Sequence, residues 1–191
     1  MKTANDFSPV PSPQAVVSEQ SRRHITIGLP AVAAAGERRF PLTPEGAGML
    51  VEKGFTVKIE AGAGAPIHYP DNAYAREGAR ICDRSGVLGC DIVISLAPLS
   101  VGDIRKMRRG AMLLSMLAQC RFAKDSVMAL LERSIMAIAI DLIEDQYGNT
   151  PFADILSEID GRAAVAIASA LLADAVHGKG ILLGGVAGVV P

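Results

Sequence analysis

Two adjacent arginines are the first residues whose type and spacing suggest chemistry. Arg38 and Arg39 stand in "ERRFPLTPEG", between an apolar extended segment and a Thr-Pro pair. A guanidinium offers a planar fork that grips a carboxylate through two parallel charge-assisted hydrogen bonds, which a lysine ammonium cannot copy. On spacing alone, solvated loop charges are the commoner outcome for such residues, and an anion-binding arginine is the sharper alternative.

Other reactive residues are sparse. There are three histidines. His24 precedes a strand, His68 lies in a Gly/Pro loop and His177 ends a helix, so general acid-base chemistry has few candidates. Asp141, Glu144 and Asp145 follow a buried run and read as a solvated turn. The cysteines Cys82, Cys90 and Cys120 are odd in number and lack zinc or disulfide spacing, which suits a reducing, cytoplasmic setting. A dinucleotide-binding turn needs G-x-G-x-x-G between a strand and a helix. Gly62-Ala63-Gly64 instead leads into Pro66, and Gly184-Gly185-Val186-Ala187-Gly188 runs to the end of the sequence, so both read as turns or linkers. No Ser/His/Asp or metal-ligand constellation is visible.

The elements that must position the arginines follow from patterning. "HITIGLP" reads as a strand and Gly36 to Phe40 as a loop. Thr43 followed by Pro44 marks a helix start, running to Gly54. "FTVKIEAG" alternates as a strand, "DNAYAREGARI" reads as a short helix turning into a strand edge, and "CDIVISLAP" is a buried strand. The second half repeats the rhythm with "SVGDIRKMRRG" helical, "AMLLSMLA" a strand, "AKDSVMALLERS" a helix and "IMAIAIDLI" a strand. The longest helix is "DILSEIDGRAAVAIASALLADAVHG", ended by Gly178. This alternation predicts an α/β fold, with a parallel, right-handed, Rossmann-like (flavodoxin-like) sheet, flanking helices and a long C-terminal connecting helix. Ligands of such sheets bind at the carboxyl ends of strands, where the Arg38-Arg39 loop lies.

Composition narrows the partners. Half of the 191 residues are hydrophobic, and 19 basic against 20 acidic residues leave a net charge of -1. No global field draws the chain to nucleic acid or a membrane surface. No run of about 18 to 20 apolar residues predicts a membrane span. Residues 1–22 are polar, contain Pro and Ser, and read as a flexible lead-in without a signal-peptide core.

In order, "GLP", "GERRFPLTPEGAGMLVEKGFTVKIEAGAGAPIHYPDNAYAREGARI", "DIVISLAPL", "MAIAIDLIEDQYGNTPF", "LSEIDGRAAVAIASALL" and "GILLGGVAGVVP" cover about residues 25 to 191. This series resembles the N-terminal part of the alanine dehydrogenase and pyridine-nucleotide transhydrogenase alpha-subunit family. The resemblance implies a substrate-side α/β domain over 23–152. Residues 153–191 would then be an interdomain helix and the start of an NAD-binding Rossmann domain, before whose glycine turn the sequence stops. It implies that Arg39 holds a substrate carboxylate, that Glu37 orients Arg39, and that Ser157 borders the nicotinamide of NAD (or NADP).

Two departures accompany the resemblance. The family's dehydrogenases carry a substrate-contacting lysine where Leu96 most nearly stands, and an acid-base histidine nearest Leu117. Leucine can neither polarise a carbonyl nor move a proton. One expectation is therefore the substrate-side portion of an NAD(P)-dependent oxidoreductase, inactive toward alanine by itself. Its partners would be a small carboxylate or amino acid or a second nucleotide, a separate Rossmann-domain chain and further copies of itself. The alternative is a non-catalytic binding or assembly module that retains only this fold.

Overall fold

The computed structural model describes residues 24–32, 37–117, 123–174 and 176–181. The expected lead-in over 1–22, Cys120 and the glycine run 184–188 lie outside the described residues.

Six strands form one all-parallel sheet: β1 (Thr26–Leu29), β2 (Thr56–Glu60), β3 (Arg80–Cys82), β4 (Ile92–Ser95), β5 (Met112–Ser115) and β6 (Met136–Ala139). Their order is β3-β2-β1-β4-β5-β6. Of the two common doubly wound orders this is the Rossmann one, with β1 and β4 side by side at the point where the winding reverses. Ile27 pairs with Val57 on one side and with Ile92 on the other.

Strand alternation sends side chains to two separate cores. On one face Ile27 and Leu29 of β1, with Val57 and Ile59 of β2, pack against α1 (Pro44–Glu52) and α2 (Asp71–Arg76), where Ala47 and Tyr74 are buried. On the other face Val93 and Leu113 pack with Leu88 of α3 (Arg84–Leu88), Ile104 of α4 (Val101–Lys106) and Leu130 of α5 (Lys124–Glu132). Gly28 lets α3 lie against β1, because a Cβ there would overlap the Val87 carbonyl oxygen.

Local signals set most boundaries. Thr43 accepts a hydrogen bond from the Gly46 N–H at 3.3 Å and Pro44 takes the first helical position, as the sequence predicts. After α1, Gly54 turns the chain at φ +89°, where a side chain would be strained. The Gly62-Ala63-Gly64 run is a turn into the short 3-10 helix Ala65–Ile67.

The last helix, α6, spans Pro151–Ala173. It starts earlier than expected, because Pro151 serves as its first residue. It also stops before Gly178: Asp174 accepts hydrogen bonds from the N–H groups of Val176 and His177, drawing the backbone out of the helix. None of its residues is buried, and Phe152, Ile155, Ile159, Val165, Ile167 and Leu171 are all at least half exposed. No described helix is long and apolar enough to cross a membrane.

Candidate functional site

The segment carrying Arg39 is fixed on both sides. Near the end of β1, Ala31 donates its N–H to Glu60 at 2.7 Å, and its carbonyl accepts from Arg84 at 3.1 Å. Beyond Arg39, Phe40 sits edge-on to the Tyr74 ring with centroids 6.0 Å apart. The Tyr74 hydroxyl donates to the Leu42 carbonyl at 2.8 Å, and Thr43 then caps α1.

Within that frame the two arginines separate. Arg38 is exposed and forms no ion pair among the described residues, whereas Arg39 is held by Glu37. Arg39 Nε donates to Glu37 Oε1 at 2.9 Å and Nη2 donates to Oε2 at 2.7 Å. These bonds hold the Glu37 carboxyl below its ordinary value and raise the Arg39 guanidinium; Asp160, on α6, adds to the latter electrostatically. Arg39 thus sits in the segment between β1 and α1, oriented by Glu37.

A cavity of about 150 Å³ opens under the first turns of α6. Leu96 after β4, Met116 after β5, and Ile140 with Asp141 after β6 form its floor. Phe152, Ile155 and Leu156, from the first turns of α6, form its roof. Leu96 lines this floor, and Met116 rather than Leu117 is the β5 contribution. Leu117 instead donates its backbone N–H to Asp141 Oδ1 at 3.0 Å. Asp141 is therefore buried, not part of a solvated turn, because the 3-10 turn Ile140–Leu142 folds it back onto the end of β5. Its neighbour Asp145 does form the expected exposed turn, accepting from the N–H groups of Tyr147 and Asn149.

Ser157 is exposed on α6, one residue beyond Leu156. None of His24, His68 and His177 lines this cavity. His24 Nδ1 lies 3.1 Å from the Gly54 carbonyl, and His68 takes a left-handed turn at φ 64°. Among the described residues no group of three His, Cys, Asp or Glu could hold a metal ion. Arg39 can therefore hold an anion, and the cavity separately offers an apolar wall. Asp141, whose carboxylate is turned to Leu117, is the one titratable residue in the lining.

A second cleft, of about 240 Å³, sits at the β1/β4 reversal point. Ala31, Ser95, Ser100, Arg84 and Asp103 are among its walls. Arg84 donates from Nε and Nη2 to the two Asp103 oxygens at 3.0 and 2.9 Å, and from Nη1 to Glu60 at 2.9 Å. This half-buried guanidinium ties α3 and α4 to β2 and to the start of the Arg39 segment. Sequence patterning did not single out this network. Its one local signal was the Ser100-x-x-Asp103 capping spacing, in which Ser100 accepts the Asp103 N–H at 3.1 Å.

Comparison with known proteins gives this geometry a setting. A family model described as "Alanine dehydrogenase/PNT, N-terminal domain" matches residues 28–159. An alanine dehydrogenase 2 of Staphylococcus aureus is 31% identical over 164 residues, covering 85% of this chain and 44% of its own length. A solved L-alanine dehydrogenase superposes with a TM-score of 0.79 at 29% identity, over 87% of this chain and 46% of that one. A transhydrogenase from Sinorhizobium meliloti superposes at 0.58 with 23% identity, over 62% of this chain and 35% of that one, and bears on the fold alone. The chain thus spans less than half the length of the relatives it matches.

Proposed function

Because the chain belongs to the alanine dehydrogenase/PNT N-terminal domain family, we propose that it forms the substrate side of an NAD(P)-dependent oxidoreductase, with Arg39 gripping a small carboxylate. The observation that carries this reading is the bidentate hold of Glu37 on Arg39 in the segment between β1 and α1. It leaves the guanidinium charged, oriented and accessible, which is what positioning a carboxylate for reaction demands.

When bound, a nicotinamide nucleotide would supply the hydride acceptor or donor. The described residues fit one flank of it: the exposed Ser157 would border the nicotinamide, next to the apolar wall of Leu156 and Leu96. Its phosphates would be held by a Rossmann domain, contributed by the rest of a longer chain or by a second chain. Residues 23–152 would be the substrate-side domain, and 153–191 the connection to the nucleotide side. The exposed apolar residues of α6 support association with such a domain or with further copies of the chain, in a cytoplasmic setting.

Leu96 and Met116 give this site no proton donor of their own. Oxidative deamination of alanine needs one, whereas hydride exchange between two nicotinamides does not, so the second substrate could itself be a nucleotide. Leu96 also favours a second reading, a non-catalytic binding module that retains the carboxylate grip.

Calorimetric titration of pyruvate, with and without a separately supplied Rossmann domain, tests the proposal. The expected result is binding that Arg39→Ala abolishes; unchanged binding by that variant would return Arg39 to a solvated surface charge.

A further inference from the structure

We infer that two copies of this chain associate about a two-fold axis, the outer length of α6 in each lying over the open half of the other's sheet. This surface is independent of Arg39.

The register places Ile92, Met112 and Met136 side by side across β4, β5 and β6, and Ile94, Leu114 and Ile138 in the next row. Strand alternation turns Val93 and Leu113 to the opposite face, where α4 and α5 bury them. On the face of Ile92 and Ile94, α1 and α2 pack against β2 and β3, so they cover only the other half of the sheet. Among the described residues α6 is the one helix over this half, and Phe152, Ile155 and Leu156 roof only its carboxyl end, at Leu96, Met116 and Ile140. The two rows are left partly exposed, Met136 to 61%. At their amino end a cleft of about 360 Å³ opens against Ile92, Met112 and Met136.

The helix carries the matching surface. The stripe that begins with Phe152 and Leu156 continues at i+3 and i+4 through Ile159, Ala163, Ala166, Ile167 and Ala170. Ile159 and Ile167 are 57% and 59% exposed. Residues 163–173 carry no charged side chain, so this length can lie on an apolar face without stripping water from a charge. Three adjacent strands span about 10 Å between their outer axes, the width of one helix. In a single copy the first turns of α6 are fixed over the last row and the rest of the helix is exposed, so it does not cover its own sheet. A second copy supplies the missing helix, and a two-fold axis makes the exchange reciprocal. One helix on one half-sheet falls short of the roughly 1,000 Å² that a specific interface buries, and making the contact twice brings it to that order.

The test is sedimentation of the 191-residue chain with Met136→Lys, Ile167→Glu and, on the opposite side of α6, Val165→Glu. All three positions are more than half exposed in one copy, so the substitutions leave its fold intact, which circular dichroism checks. The expected result is a dimer of twice 19.9 kDa, retained in Val165→Glu and lost in the other two. Mixing Met136→Lys with Ile167→Glu should restore dimers, because one contact is then wholly apolar and the other pairs opposite charges. A monomeric unsubstituted chain would overturn the inference, as would mixtures that stay monomeric or loss of the dimer in Val165→Glu. A dimer broken by Ile167→Glu but not by Met136→Lys would also overturn it, because helix would then pack on helix. A monomer that binds a separately supplied Rossmann domain, with that binding lost in Met136→Lys, would overturn it in favour of that domain as the cover.

Discussion

Glu37 holds Arg39 from only two residues away. The Arg39 Nε and Nη2 groups donate to its two oxygens at 2.9 and 2.7 Å, and the Arg39 backbone N–H donates to Oε1 at 2.8 Å. The fork is thus aimed by its own segment, with Nη1 left for a ligand. Arg39→Lys should weaken pyruvate binding by at least about tenfold, because an ammonium cannot serve Glu37 and a ligand in one plane. Calorimetry checks this, and full binding by the lysine variant would show that charge alone suffices.

Arg84 braces the reversal point through Glu60 and Asp103. Its removal leaves two half-buried carboxylates without their cation, and Arg84→Ala should cost about 2 kcal/mol in urea denaturation. Arg84 holds the Asp103 carboxyl below its ordinary value of 3.8. That contribution is present above about pH 4 and is lost as pH falls through the lowered value. Asp103→Asn should be less stable at neutral pH and should show a shallower loss of stability in acid.

Tyr74 makes the complementary prediction in alkali. Burial pushes its hydroxyl from 10.0 up to about 12. Its contribution is fully present below pH 10 and is lost as pH rises through about 12. Tyr74→Phe removes the donor to the Leu42 carbonyl and should cost about 1 kcal/mol at neutral pH. The variant should lack this alkaline component, measured as the difference between the two denaturation profiles from pH 9 to 12.

Gly28→Ala should destabilise the protein by roughly 1–3 kcal/mol, because its methyl would meet the backbone of α3 rather than a side chain that can turn aside. A shifted denaturation midpoint with an unchanged slope is the expected outcome.

What could be read from the sequence was local. Thr43-Pro44 and the β-branched run of β4 announced their elements because capping and alternation act within a few residues. The helix α3 escaped notice because it is only five residues long and its one signal is the Asp83 cap. The Arg84 network was invisible because its partners lie 24 and 19 positions away, and strand order alone brings them together. Asp141 looked like part of an acidic turn, yet a single 3-10 turn buries it. The Glu37–Arg39 pair was legible, since both residues fall within one short segment whose resemblance to a family already suggested the pairing.

The helix α6 has a mechanical consequence. It packs through its first turns against the 3-10 turn Ile140–Leu142, and its remaining length stands exposed. Its 23 residues extend about 35 Å at 1.5 Å per residue. It is a lever with its fulcrum beside the cavity: a tilt of about five degrees at Pro151 would sweep Ala173 through roughly 3 Å. A rearrangement too small to disturb the cavity would be magnified where the chain leads onward.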